Sequence, residues 1–262
     1  MPLRLISTDF DGTLFAEFAT PPIPPELGQR LAGLQRDGVF WVINTGRDMG
    51  SLMETLARAE MGAQPDALVL VEREIYVREG SRYVSMQTWN AACTRAHEEL
   101  FVRSAPSLSR LLDTLRKRYV ATFYEDEFSP VCVIAASNPE ADGIAADLET
   151  FAKGIPNLSV VRNDVYIRFC HDGYNKGTAL TEIARRLGIT PAETLAAGDL
   201  FNDLPMLDPI RAEALVAPAN AVPAVQTKVR EAGGYVSSRR TGEGVLMGLD
   251  HYLAHGPGSG RG

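Results

Sequence analysis

Apolar and polar positions along the chain follow two rhythms. Leu3, Leu5 and Ile6 read as a short buried strand with Gly12 marking its exit turn. After the proline-rich Thr20–Pro25 stretch, Leu27, Leu31 and Leu34 recur on one helical face and Gly38 stops that helix. The apolar runs Val39–Ile43 and Ala67–Val71 read as buried strands, and Thr194–Ala197 as a third. Leu180, Ile183, Ala184 and Leu187 mark a helix opened by Asn175-Lys176-Gly177. Strands alternating with helices predict an α/β sheet.

Between about residues 81 and 172 the spacing differs. Tyr76 and Val77 against Tyr83 and Val84 predict a hairpin around Glu79-Gly80. Trp89–Val102 and Ser107–Arg118 read as two helices, and Tyr119–Tyr124 and Val131–Ala135 as strands. Pro139–Lys153 reads as a helix, with Leu158–Val161 and Val165–Phe169 as a closing strand pair.

Composition narrows the class. A chain of 262 residues, 45% hydrophobic, can bury a substantial core in one large or two modest domains. Its net charge of −7, without a basic run or an interleaved aromatic platform, argues against nucleic acid as a partner. No run approaches the length of a membrane-spanning helix, and Asp9 interrupts the N-terminus before a signal-peptide core could form, so no membrane partner is expected and a cytoplasmic location is. Cys93, Cys132 and Cys170 are odd in number and widely spaced, which suits reduced thiols used in packing. Gly256–Gly262 reads as a flexible tail, no internal repeat is evident, and the oligomeric state is left open.

The candidate chemistry lies where the predicted strands end. Asp9 and Asp11 stand two residues apart where the first apolar run meets glycine, the carboxyl edge at which open α/β sheets place ligands. One carboxylate there can attack phosphorus while the other transfers protons, and the pair attracts a divalent cation. Asn44-Thr45-Gly46-Arg47 follows the second strand, where a hydroxyl beside glycine can bond a phosphate oxygen. Lys176 occupies the first turn of its helix, and Gly198-Asp199 with Asn202-Asp203 follows the strand at Thr194–Ala197. Taken singly, each string also suits a turn, a helix cap or a solvated surface.

In this order, Asp9/Asp11, Thr45, Lys176 and Asp199/Asp203 resemble the four motifs of the haloacid dehalogenase superfamily, over nearly the whole chain. The likeness is to the Cof-type and sucrose-phosphatase-like branch, and Val216–Ala221, Val229–Val236 and Gly242–Val245 look like that branch's closing strand, Asn-Ala turn and final helix. The resemblance implies a Rossmann-like parallel-sheet core with helices on both faces, from residues 1–80 and 173–262, and a smaller inserted α+β cap over 81–172 that covers the site's edge. It implies Asp9 as nucleophile and metal ligand, Asp11 as general acid/base with its carbonyl on the metal, and Thr45 and Lys176 holding the phosphoryl group. Asp199, Asn202 and Asp203 would complete or orient the shell of Mg2+, a cation that prefers hard oxygen ligands.

The implied activity is hydrolysis of a small, polar, sugar-like phosphomonoester through an aspartyl-phosphate. The alternatives are a sugar phosphomutase and a catalytically silent phosphometabolite-binding protein. Candidate substrate contacts are Arg47, Gly46, Glu72, Arg73 and His171. Glu72-Arg73-Glu74 stands where many Cof-type members have Asn-Gly-Ala, and it is read either as a salt-bridged surface turn or as part of the substrate pocket. His171 and Tyr174, on the approach to Lys176, are read as substrate contacts or as a solvated hinge, and Asn44 replaces a commoner alanine.

Overall fold

The computed structural model describes residues 3–256, and the glycine-rich stretch read as a tail lies outside them beyond Gly256. The chain divides into two compact units, one formed by residues up to Met86 together with those from Lys176 on, the other by Gln87–Asn175.

The first unit is built on an eight-stranded sheet. Its strands are β1 (Leu5–Thr8), β2 (Phe40–Asn44), β3 (Ala67–Leu70), β4 (Glu74–Glu79), β5 (Arg82–Ser85), β10 (Thr194–Ala197), β11 (Ala214–Ala217) and β12 (Tyr235–Val236). The order is β12-β11-β10-β1-β2-β3-β4-β5. All pairings from β12 to β3 are parallel, whereas β3–β4 and β4–β5 are antiparallel. Every residue of β1, β3, β10 and β11 is buried, as expected of parallel strands covered on both faces.

Among the described residues, the α-helices of this unit are α1 (Pro25–Arg36), α2 (Met49–Ala59), α5 (Lys176–Leu187), α6 (Pro223–Glu231) and α7 (Thr241–His255). Leu27 and Leu31 of α1, Leu52 of α2, and Val245, Leu249 and Tyr252 of α7 share one core with Ile6, Trp41, Ile43 and Leu195 of the sheet. Asp48 caps α2, its carboxylate accepting from the Ser51 amide at 2.9 Å. The hairpin expected around Glu79-Gly80 forms as β4 and β5, and it extends the core sheet.

The second unit carries a four-stranded antiparallel sheet, β6 (Ala121–Tyr124), β7 (Cys132–Ala135), β9 (Tyr166–His171) and β8 (Leu158–Asn163), in that spatial order. Its helices are α3 (Gln87–Arg118) and α4 (Asn138–Ala152), whose Leu100, Leu108, Ile144 and Leu148 share a core with Val133, Ile167 and Phe169 of the sheet. The two helices expected before residue 119 are one helix of 32 residues that runs through Pro106. The proline is tolerated because Leu100, Ser104 and Leu108 keep a continuous buried stripe, while Pro106 and Val102, whose carbonyl loses its donor, lie on the exposed face. All three cysteines are buried thiols.

Candidate active site

The ends of three adjacent strands carry the site. Thr8 is in register with Ala197 of β10 and Ile43 of β2, so Asp9, Asp199 and Thr45 follow neighbouring parallel strands. The Asp9 amide extends the ladder by donating to the Ala197 carbonyl at 2.8 Å. The chain then turns, with the amides of Leu14 and Phe15 both donating to the Phe10 carbonyl, and buried Phe10, Leu14 and Phe15 anchor the turn. Gly12 takes φ +76°, and a Cβ there would stand 2.4 Å from Asp199 Oδ2, so conformation and space both require glycine.

Lys176, wholly buried at the start of α5, joins the chain's two halves. Its Nζ donates to Asp9 Oδ1 and to Asp203 Oδ1, both at 2.6 Å. Asp203 Oδ2 accepts the amides of Asp199 at 2.8 Å and Leu200 at 3.0 Å, so Asp203 ties the lysine to its own loop. Asp199 is held by Thr13 Oγ1 at 2.7 Å and Asn220 Nδ2 at 3.3 Å, the latter also bonding the Gly12 carbonyl. Asn44 Nδ2 donates to the Lys176 carbonyl at 2.9 Å and Ser7 Oγ at 3.4 Å, which accounts for an amide in place of the commoner alanine.

The charges do not balance within the protein. Asp9, Asp199 and Asp203, all buried, bring carboxylate oxygens within 4.8 Å of one another around a single ammonium. Burial, then the neighbouring Asp203, pushes the Asp9 carboxyl well above its ordinary range in spite of Lys176. The same two causes push Asp199 up to about 7 against the Thr13 hydrogen bond. At Lys176 burial opposes the charge, but Asp203 and Asp9 outweigh it and raise the ammonium's pKa. A divalent cation fits here because the donors are hard oxygens and its charge relieves the crowding. Asn202 Oδ1, in the loop between Asp199 and Asp203, adds a buried acceptor without a hydrogen-bond partner.

Asp11 and Arg47 form a second group. The guanidinium grips Asp11 through Nε–Oδ2 at 2.7 Å and Nη2–Oδ1 at 2.6 Å, and its Nη1 donates to Ser51 and Thr55 hydroxyls, both at 2.9 Å. The rings of Phe10 and Phe15 lie 5.5 and 5.9 Å from its centre. Arg47, expected at the substrate, is therefore engaged with Asp11. Thr45 is buried, its Oγ1 accepts the Arg47 amide at 3.1 Å, and Gly46 between them is part-buried.

Glu72 and Arg73 are buried, 4% and 6% exposed, which corrects the surface-turn reading. Val71 and Glu72 take φ of 44° and 68°, a left-handed conformation costing about 1–3 kcal/mol per residue. The turn persists because the Val71 amide donates to the Arg47 carbonyl at 3.0 Å and the Glu72 amide to the Thr45 carbonyl at 2.9 Å. Glu72 Oε1 accepts from Asn202 Nδ2 at 2.8 Å. His171 belongs to the second unit, where its Nδ1 accepts the Gly173 amide at 3.0 Å and its ring packs 5.5 Å from Tyr174.

Sequence reasoning assigned no role to Thr13, Asn44 or Asn220. Thr13 directly follows Asp11-Gly12 and was the most accessible of the three. Asn44 and Asn220 stand in strings the sequence already marks, but their partners lie 132 and 208 positions away.

A sequence model of the haloacid dehalogenase-like hydrolases matches residues 112–247. A phosphoglycolate phosphatase from Methanoculleus marisnigri is 38% identical over 102 residues, 39% of this chain and 41% of the relative. The chain thus spans less than half of that relative's length. A 5-amino-6-(5-phospho-D-ribitylamino)uracil phosphatase from Bacillus subtilis is 24% identical over 96% of each chain. Among solved structures, the sucrose-phosphatase from Synechocystis, in complex with sucrose and phosphate, superposes with a TM-score of 0.73 at 19% identity, covering 97% of this chain and 99% of that one. Among the described residues, no helix is long and apolar enough to cross a membrane.

Proposed function

The chain belongs to the haloacid dehalogenase-like hydrolases, and from that premise we propose that it is a Mg2+-dependent phosphatase of a small phosphomonoester, with a sugar phosphate or similarly polar metabolite as substrate. The observation that carries this reading is the Lys176 ammonium shared at 2.6 Å between Asp9 and Asp203, beside Asp199, in a buried cluster still short of positive charge. The phosphatase names of the relatives from Methanoculleus marisnigri and Bacillus subtilis agree with it.

In the proposed reaction an Asp9 carboxylate oxygen attacks phosphorus, the bond to the leaving oxygen breaks, and Asp11 protonates that oxygen. Water then attacks the aspartyl-phosphate, Asp11 takes its proton, and inorganic phosphate leaves with Asp9 restored. Lys176 holds the nucleophile in place and stabilises negative charge on the transferring group, with the Thr45 hydroxyl as a further donor. Arg47 fixes the direction of the Asp11 carboxylate through two hydrogen bonds, and the grip must loosen for Asp11 to donate in the first step. Asp9, the Asp11 carbonyl, Asp199 and Asn202 would hold Mg2+, which when bound offsets the repulsion between anionic nucleophile and anionic phosphate.

The test is a hydrolysis screen across sugar phosphates, nucleotides and cofactor phosphates after chelation, with Mg2+ or Ca2+ restored. Activity that returns with Mg2+ and not with Ca2+, whose looser geometry misaligns the reactants, is expected. Full activity in chelator refutes the cation assignment, and tight binding without turnover across the panel refutes hydrolysis.

A further inference from the structure

We propose that Glu72 is a positioning residue whose carboxylate sets the Asn202 side-chain amide, so that Asn202 Oδ1 is presented as an oxygen donor for the divalent cation or for water bound to it. The proposal rests on the cation-assisted reading of the site given above. The amide of Asn202 has a donor end and an acceptor end, so once its nitrogen faces a carboxylate oxygen its own oxygen must face elsewhere. The contact has this sense, with Asn202 Nδ2 donating to Glu72 Oε1 at 2.8 Å. The oxygen so presented is buried, has no hydrogen-bond partner, and lies on the loop that carries Asp199 and Asp203.

The approach of Glu72 is enforced by its backbone. The left-handed pair Val71 and Glu72 is pinned to the carbonyls of Arg47 and Thr45, and the Arg73 amide closes the turn on the Leu70 carbonyl at 3.0 Å. The turn after β3 is thereby tied to the loop after β2 by its main chain and to the loop after β10 by its side chain. A residue expected to touch the substrate instead acts through Asn202. Partners one step removed from a metal orient its ligands, and removing them typically weakens binding by roughly 10–100-fold.

The test measures Mn2+ affinity of the full chain by titration calorimetry, with electron paramagnetic resonance of free Mn2+ as a second readout, so that no turnover is needed. Glu72→Ala should weaken Mn2+ binding by roughly 10–100-fold. Glu72→Gln, which keeps an acceptor for Asn202 Nδ2, should stay within a few-fold of the unmodified protein. Asn202→Ala should lose as much as Glu72→Ala, and the double variant should be no weaker than Asn202→Ala alone, the sign of a shared route. Additive losses, unchanged binding in Glu72→Ala, or a Glu72→Gln variant as weak as the alanine would each overturn the proposal. If Glu72→Ala does not fold, Glu72→Met, which keeps the volume without an acceptor for Asn202 Nδ2, replaces it with the same expected loss. An unmodified protein that binds no Mn2+ overturns both this proposal and the cation-assisted reading, whereas binding with the wrong coupling overturns this proposal only.

Discussion

Replacing Lys176 with methionine removes one charge from the buried cluster at nearly constant volume. The ammonium is fully buried and touches two carboxylates at 2.6 Å, so its loss leaves Asp9, Asp199 and Asp203 without a positive charge between them. Removing one partner of a buried ion pair typically costs about 3–5 kcal/mol. In a domain of this size each kcal/mol lowers Tm by roughly 2–4 °C, which places the expected drop at roughly 6–20 °C. The assay is thermal unfolding followed by circular dichroism at pH 7.5 in chelator, repeated at pH 5.5 and with saturating Mg2+. Acid should narrow the gap, since protonating Asp9 and Asp199 removes the repulsion, whereas Mg2+ at a hundred times Kd stabilises each protein by about 2.7 kcal/mol, so any narrowing in Mg2+ reports tighter binding by the variant. A Lys176→Met protein as stable as the unmodified one in chelator at pH 7.5 would show that the carboxylates do not depend on this ammonium.

Asp9→Asn should abolish turnover without lowering metal-free stability, because it removes the nucleophile and one of three crowded carboxylates; steady-state assays beside thermal unfolding check both halves. Arg47→Lys keeps the charge and loses the two-bond grip on Asp11, so kcat for an alkyl phosphate should fall by about tenfold or more, and less for p-nitrophenyl phosphate, whose leaving group needs no proton; equal losses on both would place Arg47 outside proton transfer. In the metal-free protein Asp199 has its folded pKa raised to about 7, so its stabilising contribution is complete below the unfolded value near ~3.9 and is lost as pH rises through about 7. Urea unfolding in chelator between pH 5 and 8 should therefore show stability falling with pH over that window, and Asp199→Asn should flatten the slope.

The elements that position the site were largely legible because their residues follow simple periods. Thr194–Ala197 is a strand over the span its apolar run predicts, and the Leu27, Leu31, Leu34 face became α1 with Leu27 and Leu31 fully buried. What could not be read locally depended on tertiary contact. Pro106 looks like a helix stop until the buried stripe through Ser104 and Leu108 holds α3 together across it. The charged triplet Glu72-Arg73-Glu74 looks like a surface turn because its anchors, Thr45, Arg47 and Asn202, lie far away in sequence. Helix α2 has no counterpart among the predicted elements, although Asp48 marks its start and Leu52 is buried in the core. Asp9, Lys176, Asp199 and Asp203 could be nominated together because their order along the chain resembles the four motifs of the family, whereas the pairing of Arg47 with Asp11 depends on how the turn after β1 meets the loop after β2.

The central place of β1 in the sheet governs how the chain can assemble. On one side β1 pairs with β2, close in sequence, but on the other it pairs with β10, which follows the whole second unit. A nascent chain can therefore form the half-sheet β1-β2-β3-β4-β5 early, and it holds the opposite edge of β1 open until residues near 194 arrive. The bonds that close that edge, from Lys176 to Asp9 and from Thr13 to Asp199, span 167 and 186 positions. The acidic cluster is thus completed by contacts far apart in sequence, so translation must carry the unpaired edge of β1 through the synthesis of the whole second unit, Gln87–Asn175, before the sheet of the first unit can close.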